Sequence, residues 1–183
     1  MKTGADIVAD ALVAAGVDFI CTLPDWNMSR LIQRIGEENS WVHVRLAREE
    51  EGVGICAGAY LTGKKPALVM QNGGLLNSVN ALTTTSIQFG VPTLLVVYYA
   101  GDINTRFFAN VGDATEPVLQ ALGIRYYVLR DREEVMRTIV GAATLTVDAR
   151  RPVAVLLNRD LLRSEGAQNE AHRLSESDSG QGR

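Results

Sequence analysis

The apolar positions along the chain switch repeatedly between two periods. Ile7, Val8, Ala11, Leu12 and Ala15 recur at helical spacing over residues 4–15, and Gly16 suits a stop. DFICTL at 18–23 reads as a short buried strand. Leu31, Ile32 and Ile35 share one face of a helix over 27–37, and WVHVRL at 41–46 alternates as a strand does. A helix of small residues follows at 49–62. Lys64, Lys65 and Pro66 turn the chain into a strand at 67–71, and Asn72, Gly73 and Gly74 read as a loop. A helix over 75–88 ends before Gly90 and Pro92. TLLVVYY at 93–99 is the most apolar strand. A long loop over 100–112 leads to a helix at 114–122, a strand at 125–129, a helix at 131–149 and a strand at 152–158.

Six continuous apolar strands separated by helical crossovers predict an α/β fold: an open, doubly wound parallel sheet with helices on both faces. Residues 1–163 make one domain on this pattern. From 164 to 183 the chain turns polar and rich in Ser and Gly, which predicts a disordered tail. Ligands in such sheets sit outside the carboxyl ends of the strands. The segments to watch are therefore Pro24 to Asn27, Arg48 to Glu51, Gln71 to Gly74, and Ala100 to Asn110.

Composition changes this picture little. Of 183 residues, 46% are apolar and 21% charged, enough for a real core, and a net charge of −3 argues against nucleic acid as the main partner. Cys21 and Cys56 form no metal-type cluster and read as buried free thiols in a reducing compartment. Asp6 and Asp10 interrupt the apolar pattern of the first helix, which argues against a signal peptide, and no apolar run is long enough to span a membrane. The expected location is the cytoplasm.

The chemistry concentrates in Arg48-Glu49-Glu50-Glu51-Gly52-Val53-Gly54-Ile55-Cys56-Ala57-Gly58-Ala59-Tyr60-Leu61. Acids in a first helical turn complement the helix dipole, and that alone is one reading. Gly52 to Ala57 also fits a loose G-x-G-x-x-A dinucleotide pattern. However, a charged segment separates it from its strand, and no acid lies between Gly52 and Gly101 to take a ribose hydroxyl.

The same stretch, with Glu50 two residues before Gly52 and ten before Tyr60, resembles the N-terminal, pyrimidine-binding domain of thiamine-diphosphate enzymes. MQNGGLLNSVNAL at 70–82 is similar to that family's next loop and helix. Within the family, the stretch running on to Asn72 looks most like sulfopyruvate and phosphonopyruvate decarboxylases. The resemblance covers residues 3–162. It implies that Glu50 contacts the cofactor's aminopyrimidine and favours its imino form, which helps the thiazolium carbon lose its proton. Such an acid wants a poorly hydrated seat.

The resemblance further implies an alpha subunit of a thiamine-diphosphate 2-oxoacid decarboxylase, turning sulfopyruvate into sulfoacetaldehyde and CO2. Asp25, in a segment similar to the Gly-Asp-Tyr-Asn of pyruvate decarboxylases, would serve proton transfer; a plain N-cap is the other reading of Asp25 or Asn27, and the two are compatible. Pro24, Gln71, Asn72, Gly73 and Gly74 would line the cofactor, with Asn72 also facing substrate. Arg106 would hold a sulfonate or phosphonate. The histidine pair of pyruvate decarboxylases is absent, and His43, within a strand, reads as structural. The chain lacks the family's Gly-Asp-Gly and Asn-Asn signatures. The diphosphate and its Mg2+ would therefore belong to a partner beta subunit in a hetero-oligomer, with no metal held here. A phosphonopyruvate decarboxylase subunit, another thiamine-diphosphate carboligase subunit and a non-catalytic binding or regulatory protein are the competing readings.

Overall fold

The computed structural model describes residues 2–105 and 107–162. The expected polar tail and Arg106 lie outside the described residues. Six parallel strands form one sheet: β1 (Phe19–Thr22), β2 (Val42–Arg45), β3 (Pro66–Gln71), β4 (Leu94–Tyr98), β5 (Arg125–Leu129) and β6 (Val153–Leu157). Their order is β2-β1-β3-β4-β6-β5. The doubly wound parallel sheet expected from the pattern is what the chain forms.

Alternation along each central strand sorts the core into two layers. Val69, Val96, Val155 and their alternates face α1 (Gly4–Ala14), α2 (Ser29–Glu37) and α7 (Arg132–Ala149). Leu68, Met70, Leu95, Val97 and Leu156 face the other side, where α3 (Glu49–Leu61), α4 (Asn72–Asn77) and α6 (Ala109–Ala121) pack. β3, β4 and β6 are buried on both faces, which is why they read as unbroken apolar runs. The edge strands β2 and β5 are partly exposed.

The chain leaves β1 toward one face, through α2, and leaves β3 toward the other, through α4. The crossovers diverge there and open a crevice at the carboxyl ends of β1 and β3.

Several boundaries differ from the sequence expectation. The segment 72–74, expected as a loop, is already the first turn of α4. The single helix expected over 75–88 is α4, a short α5 (Val79–Ala81) and a π-helical stretch, Leu82–Ile87. Hydroxyls explain the break: Ser78, Thr83 and Thr84 each donate to the carbonyl four residues back, at 2.8 Å, and compete with the regular ladder. α6 begins at Ala109 rather than 114. Gly101, at φ +86°, packs its backbone on Gly112, where a side chain would meet the Gly112 nitrogen at 2.8 Å. That contact lets the helix start five residues early. A short α8 (Arg159–Leu162) follows β6.

α3 lies unusually close to the sheet. A methyl group on Gly52 would stand 2.5 Å from Leu68 Cδ1 and 2.6 Å from Leu46 Cδ1. We expect Gly52→Ala to destabilise the chain by about 1–3 kcal/mol through overpacking, although alanine favours helix by ~1 kcal/mol. Urea unfolding checks this; an unchanged or raised midpoint would mean that the approach is not limiting.

Candidate active site

Three strand exits meet at the carboxyl edge. From β1, Pro24 is exposed and Asp25 half-buried. One Asp25 oxygen, Oδ1, accepts from the Met28 backbone at 3.0 Å and closes the turn, so α2 begins at Ser29 and not at 27. The other, Oδ2, accepts from Gln71 Nε2 at 3.0 Å. This bond spans the crevice between β1 and β3. The structure thus brings Asp25 and Gln71 together, and Asp25 also serves as the turn cap that the sequence allowed.

From β2, the three glutamates diverge. Glu49 lies over Gly74, filling the space where a side chain would stand. Glu51 turns back, and its Oε2 accepts from the Ala47 and Arg48 backbones at 3.3 Å each. Glu50 pairs one oxygen, Oε1, with Arg48 Nε at 2.7 Å. Its other oxygen, Oε2, is buried with no hydrogen-bond partner. Buried polar atoms are nearly always satisfied, so an unpartnered carboxylate oxygen marks a place where a donor is missing.

From β3, Gly73 keeps Gln71 Oε1 close, at 3.2 Å from where its Cβ would be. Asn72 differs from expectation. It is fully buried, and Nδ2 donates to the Ala100 carbonyl at 2.7 Å and to Thr115 Oγ1 at 2.8 Å. Its Oδ1 accepts from the Ala100 backbone at 3.2 Å. The side chain braces the exits of β3 and β4 against α6 and has no donor left for a ligand. Gly74 likewise faces Glu49.

The exits of β4 and β6 carry Asp102, inside the 100–110 segment, and Tyr99, Asn158 and Arg159, which the sequence did not single out. Asp102 accepts from Arg130 and from Asn158 Nδ2, each at 2.8 Å. Burial works to raise the Asp102 pKa, but these bonds outweigh it and hold the carboxyl below its usual range. Burial, then the bond to Glu116, pushes the Tyr99 phenol well above its ordinary value. Asn158 and Arg159 follow a strand end, so the rule that ligands gather at carboxyl ends already pointed to them. On β2, His43 Nε2 shares a hydrogen bond with Thr22 Oγ1 at 2.8 Å, and burial lowers its pKa. Cys21 and Cys56 are free and buried. Among the described residues, no three His, Cys, Asp or Glu side chains cluster as a metal site requires, and no helix is long and apolar enough to cross a membrane. A cavity of about 280 Å³ lies at the opposite, amino-terminal edge beside Tyr60 and Lys65, and touches none of the expected site residues.

If Asn72 is the brace, Asn72→Ala should cost about 2–4 kcal/mol of stability, because buried partners are left unpaired. Thermal unfolding of the chain checks it; a stable variant would return Asn72 to the ligand-facing role.

Comparison with known proteins identifies the family of the chain. Residues 2–106 match the family described as thiamine pyrophosphate enzyme, N-terminal TPP binding domain. The chain is 33% identical to the sulfopyruvate decarboxylase subunit alpha of Methanococcus maripaludis, over 84% of this chain and 93% of that one. It is 36% identical to the subunit of the same name from Methanocaldococcus jannaschii, over 85% and 93%. Among solved structures, 2-oxoglutarate:ferredoxin oxidoreductase from Magnetococcus marinus shares the fold, with a TM-score of 0.71 at 18% identity. There the match covers 88% of this chain but only 29% of the larger one. The chain therefore belongs to the thiamine pyrophosphate enzymes, as an N-terminal TPP-binding domain, in the group of sulfopyruvate decarboxylase alpha subunits.

Proposed function

We propose that this chain is the alpha subunit of a thiamine-diphosphate-dependent decarboxylase that converts sulfopyruvate to sulfoacetaldehyde and CO2. The observation that carries the reading is Glu50 Oε2, a buried acceptor that lacks a donor. A ring nitrogen of the aminopyrimidine carries hydrogen in its imino and protonated forms and would supply that donor, so the residue and the cofactor fit. When bound, thiamine diphosphate supplies the carbon nucleophile and takes up the electron pair that departing CO2 leaves behind.

The chain's own residues do the rest. Arg48 holds Oε1 at the surface, which fixes the carboxylate plane and aims Oε2 inward. At Oε2, Glu50 would hold or give up a proton toward the ring. The small residues behind it, beginning with Gly52, leave room for the ring to approach. Gln71 anchors Asp25 across the crevice, and with Pro24 and Gly73 they form the wall against which the ring and substrate are oriented. On this reading Asp25, held by Gln71 at the crevice, would pass a proton to the product carbon. The diphosphate and Mg2+ would sit on a partner beta subunit that bears Gly-Asp-Gly and Asn-Asn, in a hetero-oligomer.

Glu50→Gln should lower turnover of the assembled enzyme by about 10²–10⁴-fold, the usual worth of a positioned acid or base. Glu51→Gln, which touches only the turn before α3, should keep most of it. Equal losses would sink the assignment of Glu50. Affinity capture from native extract, with mass spectrometry, tests the assembly. A stoichiometric partner with both signatures is expected; no partner and no retained thiamine diphosphate would move the chain to a binding or regulatory role.

A further inference from the structure

A hollow of about 230 Å³ lies beside the crevice, lined by Asn27, Tyr98, Thr105, Phe107 and Arg159. Asn27 stands two residues beyond Asp25, so one short loop serves both the crevice and the hollow. Arg159 Nη1 donates to the Asn104 carbonyl at 2.9 Å, and no carboxylate pairs with Arg159 among the described residues. A guanidinium has five N–H donors, so most remain for another acceptor. Thr105 Oγ1 is buried in the same wall without a hydrogen-bond partner. The hollow thus holds an uncompensated cation, an unpaired hydroxyl and the Asn27 amide beside one aromatic wall. That is a donor set for a compact, multi-oxygen anion.

The wall is also built at a conformational cost. Asn104, Phe107 and Phe108 all adopt left-handed backbone angles, φ +63° to +67°. Strain of this kind in non-glycine residues concentrates where a loop has a task beyond connection. The loop is pinned by Asn104 Nδ2 on Asp160 at 2.6 Å and by the Asp102–Asn158 bond. These bonds tie the start of the loop to the β6 exit and α8.

We infer that this hollow seats the terminal oxyanion group of the substrate, a sulfonate or phosphonate, and that Arg159 with Thr105 selects for it. The inference rests on the decarboxylase reading above. Arg159 also braces the Asn104 carbonyl, so its test must separate recognition from bracing.

The assembled enzyme is assayed on sulfopyruvate, phosphonopyruvate and pyruvate, with sulfoacetate as an unreactive competitor. Arg159→Gln should raise KM for the two anion-tailed substrates about 10- to 100-fold, as expected for a lost charged hydrogen bond. It should leave kcat within about three-fold, weaken sulfoacetate inhibition in parallel, and leave kcat/KM for pyruvate nearly unchanged; Arg159→Lys should restore part of the loss. Equal losses on pyruvate, or unchanged sulfoacetate inhibition, would overturn the inference and leave Arg159 as a brace. If Arg159→Gln fails to assemble, Thr105→Val is read by the same comparison. A wild-type enzyme inert on all three oxoacids would instead refute the decarboxylase reading itself.

Discussion

The close approach of α3 to the sheet sets the terms for everything at the carboxyl edge. A carboxylate in the first turn of a helix normally points into water. Here that turn is pressed against the strands, because Gly52 has no side chain to hold Leu46 and Leu68 away. Successive helical residues diverge by about 100°, so three adjacent glutamates cannot share one environment. Glu49 falls on Gly74, Glu51 folds back to the preceding turn, and Glu50 alone keeps one oxygen at the surface and buries the other. A larger residue at 52 would press on Leu46 and Leu68, lift the turn and expose the buried oxygen of Glu50.

The exits of β1, β3 and β4 are tied into one body around that turn. Gln71 links β3 to the β1 exit, and Asn72 links β3 to Ala100 beyond β4 and to Thr115 of α6. Adjacent residues thus point in opposite directions along the sheet edge, one into the crevice and one into the interior. Such bracing keeps a site near its working geometry before a ligand binds, which is where much catalytic advantage originates.

How much of this the sequence disclosed depended on what each residue answers to. The central strands were legible because burial on both faces demands unbroken apolar runs. The first turn of α4 was not, because Asn72-Gly73-Gly74 has the composition of a turn and is helical only through the Asn72 brace. The π-helical stretch was hidden for a similar reason: the hydroxyls of Ser78, Thr83 and Thr84 act on carbonyls one turn away and leave no mark on apolar periodicity. For the glutamates, residue chemistry alone left the helix dipole as a sufficient account, and only the resemblance distinguished Glu50. The structure adds the unpartnered oxygen, which depends on packing distances no pattern encodes.

The charge at this edge bears on the proposed assembly. Glu49, Glu50 and Asp25 put three carboxyl groups around the exits of β1, β2 and β3. Of the nearby cations among the described residues, Arg48 is engaged with Glu50 and Arg130 with Asp102, while Arg159, in the hollow beside the crevice, is left for the substrate's anionic end on the inference above. A diphosphate brought here without countercharge would face repulsion on the order of 1 kcal/mol per pair even at aqueous dielectric and 4 Å, and more where water is excluded. Such an edge suits the neutral, hydrogen-bonding face of an aminopyrimidine and disfavours the cofactor's anionic end. On the proposed reading, the cation for that end comes from the partner subunit, and the charge at this edge accords with a cofactor divided between two chains.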